Sequence, residues 1–288
     1  MSKNRNRMTK AEYLNMESYR VLFDHYKTIA LNAFKWSGLP DTITERHLER
    51  GLFEKGKMLF FRDPGLGLMC LPAFNGSQLD VYSEPLRWRA TGLGYNREFP
   101  REKCVLIENN KLRVPTEQTV SYFVRKIHEA DRTADTNLTT CKVPWIIVTD
   151  ERNVLTYKEI IRKVDENEVA VLGNKGLSLD AIQLFPTKPT FIGNDLIDYQ
   201  NSLESKLLTF LGIDNCPIDK KERLISDEAQ SNDELISINA DNMLEARKRA
   251  CEQINEMFGL NVTVELRHKP KEGEVNEPIP GRNDQKNA

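Results

Sequence analysis

Apolar side chains recur every three or four residues along four long stretches, and each stretch predicts a helix buried on one stripe. From about Lys10 to Trp36 the stripe is Tyr19, Leu22, Phe23, Tyr26, Ile29, Ala30 and Ala33, with Gly38 and Pro40 ending it. From Thr116 to about Thr136 it is Val120, Phe123, Val124, Ile127, Ala130 and Ala134. A third helix, from about Thr190 to Leu211, turns Leu196, Tyr199, Leu203, Leu207 and Phe210 inward and stops at Gly212. The fourth spans about Leu235 to Phe258 and stops at Gly259. A shorter helix near Glu45–Glu54 follows Thr44, whose hydroxyl can cap it.

The remaining pattern is strand-like. Across residues 57–115 short apolar runs (Met58–Phe61, Leu66–Leu71, Val105–Ile107) are broken by Pro64, Gly65, Asn75, Gly76, Pro85, Gly92, Gly94 and Pro100. That punctuation predicts short strands and turns. Between the second and third helices lies a small α/β insert: a strand at Trp145–Val148, a helix at Tyr157–Val164 and a strand at Val169–Leu172. Asn261–Arg267 alternates as a strand would, while residues 1–8 and the tail from Lys269 read as disordered on composition. The fold class expected is α+β, and no internal repeat is visible.

Composition narrows the function classes. At 288 residues the chain can bury one or two cores. A net charge of -2 leaves no overall basic balance, so any contact with nucleic acid must be local. The five cysteines, at 70, 104, 141, 216 and 251, form no CxxC pair and read as reduced thiols of an intracellular protein. No apolar run is long enough to span a bilayer. The terminus MSKNRNRMTK has positive charge but no apolar core behind it, so synthesis in the cytosol and no membrane partner are expected.

Catalytic patterns are lacking. GLFEKGKM, residues 51–58, has the spacing of a phosphate-binding loop, but Met58 stands where a hydroxyl must hold magnesium. The segment also follows a helix rather than a strand, so a helix ending at Gly56 before a strand is the preferred reading. His25, His47, His128 and His268 show no ligand spacing, and no GxSxG serine or Cys–His motif is present. No cofactor, no metal and no enzymatic activity are expected.

Two polar features remain. Opposite the buried side of the third helix lie Asp195, Asp198, Ser202, Ser205 and Thr209, all small and none basic. This is either an ordinary solvated face or a wall past which a polyanion slides, because acids and hydroxyls give no counterion-release gain. After that helix comes KKERLISDEAQSNDEL, residues 220–235, dense in charge and poor in anything to bury. It is either a plain linker or a mobile projection whose cations, Lys220, Lys221 and Arg223, touch phosphate.

FLGIDN (210–215), KKERLISDE (220–228), SNDE (231–234) and ACEQINEMFGLNV (250–262) resemble the portal proteins of small short-tailed double-stranded DNA phages, the phi-29-like head–tail connectors or upper collar proteins. Weaker matches occur at SGLPDTI (37–43), FRDP (61–64), NGSQLDVY (75–82) and YNREF (95–99). The resemblance implies a dodecameric ring through which double-stranded DNA is packaged and ejected. It implies a basic arm and wing at 1–115, stem helices at 116–137 and 190–211, a clip at 138–189, a tunnel loop at 212–234, further wing at 235–267 and a disordered tail at 268–288. Lys220, Lys221 and Arg223 would be the tunnel-loop cations, and the acid-and-hydroxyl stripe would line the channel. A packaging ATPase, major capsid and scaffolding proteins and a lower collar or tail protein are the implied partners, with the virion head–tail junction as location and host cytoplasm during assembly. The family's type member has lysines on the channel helix where this chain has Asp195 and Gln200, so no lysine ring is implied there. Lys3, Arg5, Arg7 and Lys10 form an arm that could hold a packaging RNA or simply solubilise the chain. The rival readings are a helical adaptor whose loop is a linker and, last, a nucleotide-binding enzyme using Gly51 to Lys57.

Overall fold

Short apolar runs and turn residues build a β-sheet first. The computed structural model describes residues 10–142, 145–147, 182–184, 190–215 and 226–267. The strands β2 (Lys57–Asp63), β3 (Gly67–Asn75), β4 (Arg87–Gly92), β5 (Tyr95–Pro100) and β6 (Cys104–Glu108) form an antiparallel sheet in the order β5-β4-β3-β2-β6. In its centre, Met58-Leu59-Phe60-Phe61 is wholly buried because successive side chains point to opposite faces. Met58 and Phe60 pack with the helical side, whereas Leu59 and Phe61 join Ala73, Trp88 and Ala90 on the other. Two of these strands, β4 and β5, are too polar to stand out in the sequence. Their charges are paired across the ladder: the Arg89 guanidinium lies 3.0 Å from Glu98.

The helices are α1 (Lys10–Leu31), α2 (Glu45–Lys55), α3 (Thr116–Lys142), α4 (Gly193–Phe210) and α5 (Ser226–Phe258). Helix α2 forms as its sequence predicts. The Thr44 hydroxyl accepts from the His47 amide at 3.2 Å, and Gly56 closes the helix in the left-handed region at φ 76°. The phosphate-loop spacing is therefore consumed by packing. Met58 is buried in β2, and its sulfur occupies the space that a side chain at Gly51 would need.

Two element boundaries differ from expectation. Helix α1 stops at Leu31, not Trp36, and Phe34–Ser37 becomes β1, paired antiparallel with β9 (Thr263–Leu266). Phe34 and Trp36 are buried while Lys35 and Ser37 are exposed, so a two-residue alternation overrides the helical period just where a partner strand is available. Helix α5 starts at Ser226, not near Leu235. Ser226, Asp227 and Glu228 suit a helix N-terminus, where acids meet the positive end of the dipole, and a preformed helix extends without needing a buried face.

The chain divides into two compact units, residues 1–127 with 202–288 and residues 128–201, so the divisions fall inside α3 and α4. In the first unit the packing is organised by a buried ion pair, in which the Arg247 fork meets the Glu49 carboxylate at 2.9 Å on both nitrogens. The Trp36 indole N–H donates to the same carboxylate at 2.7 Å. Arg247 also donates to the Asn109 carbonyl and side chain, and its guanidinium stacks 4.0 Å from the centre of the Phe34 ring. One cation thus binds β1, α2, α5 and the segment leading into α3. In the second unit β7 (Trp145–Ile147) pairs antiparallel with β8 (Ile182–Leu184), a strand the sequence does not announce. The expected helix at 157–164 and strand at 169–172 lie outside the described residues.

Candidate nucleic-acid interface

Helix α4 carries the polar stripe over about 21 Å, at 1.5 Å per residue from Asp195 to Thr209. Its buried side is set by Leu203 and Leu207, which pack with Tyr26, Val120, Val124 and Ile127. Leu196 and Phe210 are half-buried, but Tyr199, expected inside, is exposed. Asp195, Asp198 and Ser202 are exposed, whereas Ser205 and Thr209 are half-buried. The stripe therefore has two parts: an exposed acidic stretch and a hydroxyl end engaged with its own surroundings.

That end is held by side-chain amides that the sequence reading did not single out. Asn215 donates from Nδ2 to the Thr209 hydroxyl at 2.8 Å and to the Ser205 carbonyl. The Thr209 hydroxyl donates to Asn232 Oδ1 at 3.3 Å, and Asn232 Nδ2 donates to Asn215 Oδ1 at 3.1 Å. Asn239 Nδ2 donates to the Thr209 carbonyl at 3.0 Å. Beneath this group the turn is a Schellman closure, with the Gly212 amide on Thr209 O and the Ile213 amide on Leu208 O. Gly212 has φ 72°, and a β-carbon there would lie 2.7 Å from that of Ala240 on α5. Only glycine lets the end of α4 come this close to α5.

Lys220, Lys221 and Arg223, and the arm residues Lys3, Arg5 and Arg7, lie outside the described residues; Lys10 is the first residue of α1. Among the described residues no helix is long and apolar enough to cross a membrane, and no cluster of His, Cys, Asp or Glu could hold a metal ion. A cleft of about 620 Å³ between β4, β6 and α5 is floored by Trp88, Val105 and Ala250. Within it Arg113 lies 2.6 Å from Glu84 and 2.7 Å from Glu108. No disulfide involves Cys70, Cys104, Cys141 or Cys251. Burial pushes the Cys104 thiol up to about 11 and the Cys251 thiol up to about 12, so both stay protonated and inert.

Residues 3–270 match the family described as Phage Connector (GP10), and the chain belongs to that family. It is a portal, or head–tail connector, protein, a structural component of the phage head–tail junction. Among solved structures it is similar to a chain of the portal and tail of native bacteriophage P68, at 12% identity and a TM-score of 0.49, over 94% of both chains. It is also similar to an HK97 family phage portal protein from Corynebacterium diphtheriae, at 13% identity and a TM-score of 0.45, over 90% of this chain and 94% of that one.

Proposed function

We propose that copies of this chain close into a dodecameric ring around double-stranded DNA, which enters the head through the channel during packaging and leaves through it at ejection. Membership of the connector family over residues 3–270 is the observation that carries this reading. In the ring, residues 116–137 and 190–211 act as stem, 138–189 as clip and 1–115 with 235–267 as wing. Asp195, Asp198, Ser202, Ser205 and Thr209 face the passage, where exposed carboxylates repel phosphate weakly and so let the duplex slide. Lys220, Lys221 and Arg223 supply the cations that touch it, and Lys3, Arg5, Arg7 and Lys10 form a basic arm that either holds a packaging RNA or solubilises the chain. The chain itself hydrolyses nothing; a packaging ATPase supplies force, while major capsid and scaffolding proteins and a lower collar or tail protein dock on the ring. Assembly takes place in the host cytoplasm.

End-on electron micrographs of the purified protein test the ring, and light scattering should give a particle many times the 33.2 kDa of one chain. A monomer at high concentration would instead leave a helical adaptor. Replacing Lys220, Lys221 and Arg223 together by Ala should leave rings intact while packaged DNA leaks. Unchanged retention would remove the loop cations from the mechanism.

A further inference from the structure

We infer that Thr209, Asn215, Asn232 and Asn239 form a clasp that ties the exit from α4, at residue 215, to helix α5, and that they are positioning residues for DNA retention. The inference rests on the proposed reading of Lys220, Lys221 and Arg223 as phosphate contacts. Its basis is geometric. Ten residues, 216–225, connect Asn215 to the start of α5. The reach of any connection is set by where its two ends are held.

Here side-chain hydrogen bonds hold the chain beside the apolar packing of Leu211 and Ile213. Asn215, the last described residue before the connection, uses both its amide nitrogen and its carbonyl oxygen. Asn232, two turns into α5, both donates and accepts. Thr209 stands between them as acceptor from one and donor to the other. The three side chains close a ring of hydrogen bonds in which each supports the other two. Asn239, two turns further along α5, then ties the Thr209 backbone to the same helix. Asparagine is a poor choice for a helix interior, and its presence at 232 and 239 is accounted for by these bonds. The polar stripe of α4 thus ends not in a free hydroxyl but in the anchor of the connection. The stretches FLGIDN and SNDE, which carry much of the sequence resemblance, contribute two of the four members.

The test compares assembled rings of Thr209→Val, Asn215→Ala and Thr209→Ser with the wild type. Thr209→Val keeps the shape and removes the hydroxyl, whereas Thr209→Ser restores it. Limited trypsin digestion, read by mass spectrometry at Lys220, Lys221 and Arg223, reports the freedom of the connection separately from overall stability. Expected are rings in all three, at least about two- to tenfold faster cleavage there in Thr209→Val and Asn215→Ala, the effect of losing a single hydrogen bond when each loses two or more, and near wild-type cleavage in Thr209→Ser. DNA retention should fall in the first two and recover in the third. Wild-type cleavage and retention in Thr209→Val and Asn215→Ala overturn the clasp. So does failure of both to assemble, since the residues would then serve assembly rather than positioning. The triple alanine variant of the loop cations separates the two readings. If it retains DNA, the phosphate contacts are wrong; if it leaks while the clasp variants do not, the clasp alone is wrong.

Discussion

Arg247 and Glu49, only 2% and 3% exposed, are the costliest side chains in the first unit to remove from water. They are tolerated because every polar contact is completed: the fork meets the carboxylate, Trp36 adds a donor, and Asn109 and the Met243 carbonyl take the remaining N–H groups. Arg247→Met should therefore lower stability by about 3–5 kcal/mol, while Glu49→Leu with Arg247→Met should recover much of it. Urea denaturation of the variants checks this, and equal losses in single and double variants would contradict it. A second residue-scale prediction concerns pH. The Tyr95 hydroxyl at 2.7 Å, then the Gly65 amide, hold the Asp63 carboxyl below the usual carboxylate range. A lowered carboxylate stabilises the fold above its unfolded pKa and loses that contribution as pH falls, so stability should decline below about pH 4. Burial and the facing Asp63 push Tyr95 up to about 12. Between about pH 10 and that value only the unfolded chain gives up the proton, so stability should fall there too. Asp63→Asn should flatten the acid limb and Tyr95→Phe the alkaline one, read as denaturation midpoints against pH.

Helix α4 is the element on which an engineered charge is most telling. Asp195 and Asp198 are exposed, so Asp195→Lys with Asp198→Lys should leave folding almost unchanged. In the assembled protein the two lysines should make DNA association steeper in salt, by up to about two in the log–log slope for each copy that reaches phosphate. A slope equal to the wild type would mean that this stretch does not face DNA. The stripe itself was legible in the sequence because α4 keeps one period from Leu196 to Phe210 and Gly212 marks its end. The limits of α2 were legible for the same kind of reason: Thr44 and Gly56 act within one turn of the helix they bound. What the sequence concealed depends on distance along the chain or on competing patterns. Strand β1 continues the helical period of α1 and becomes a strand only because β9, more than 200 residues later, offers a partner. Glu49 and Arg247 are separated by 198 positions, so no local pattern joins them. Asn232 was hidden differently, inside a run whose charge density suggested that nothing there was ordered, and its partner Asn215 lies five residues before that run.

One chain alone leaves part of α4 uncovered. On α4, Ile197 is 52% and Tyr199 48% exposed, on nearly opposite flanks of the helix, although Tyr199 continues the apolar period that Leu203 and Leu207 bury further along. A period that is buried at one end of a helix and exposed at the other is what a surface awaiting a neighbouring copy looks like, and a closed ring supplies such a neighbour to every copy alike. Wetting both flanks should prevent assembly without unfolding the chain. Ile197→Glu with Tyr199→Glu adds charge at sites that solvent already reaches, so the denaturation midpoint governed by the Arg247–Glu49 core should stay within about 0.5 kcal/mol of the wild type. Light scattering of the same sample should fall to the mass of a single 33.2 kDa chain. Intact rings in this variant would mean that the two side chains look into the channel or outward, and that subunits meet through other surfaces. A loss of both ring and fold would mean instead that these side chains support the chain they belong to.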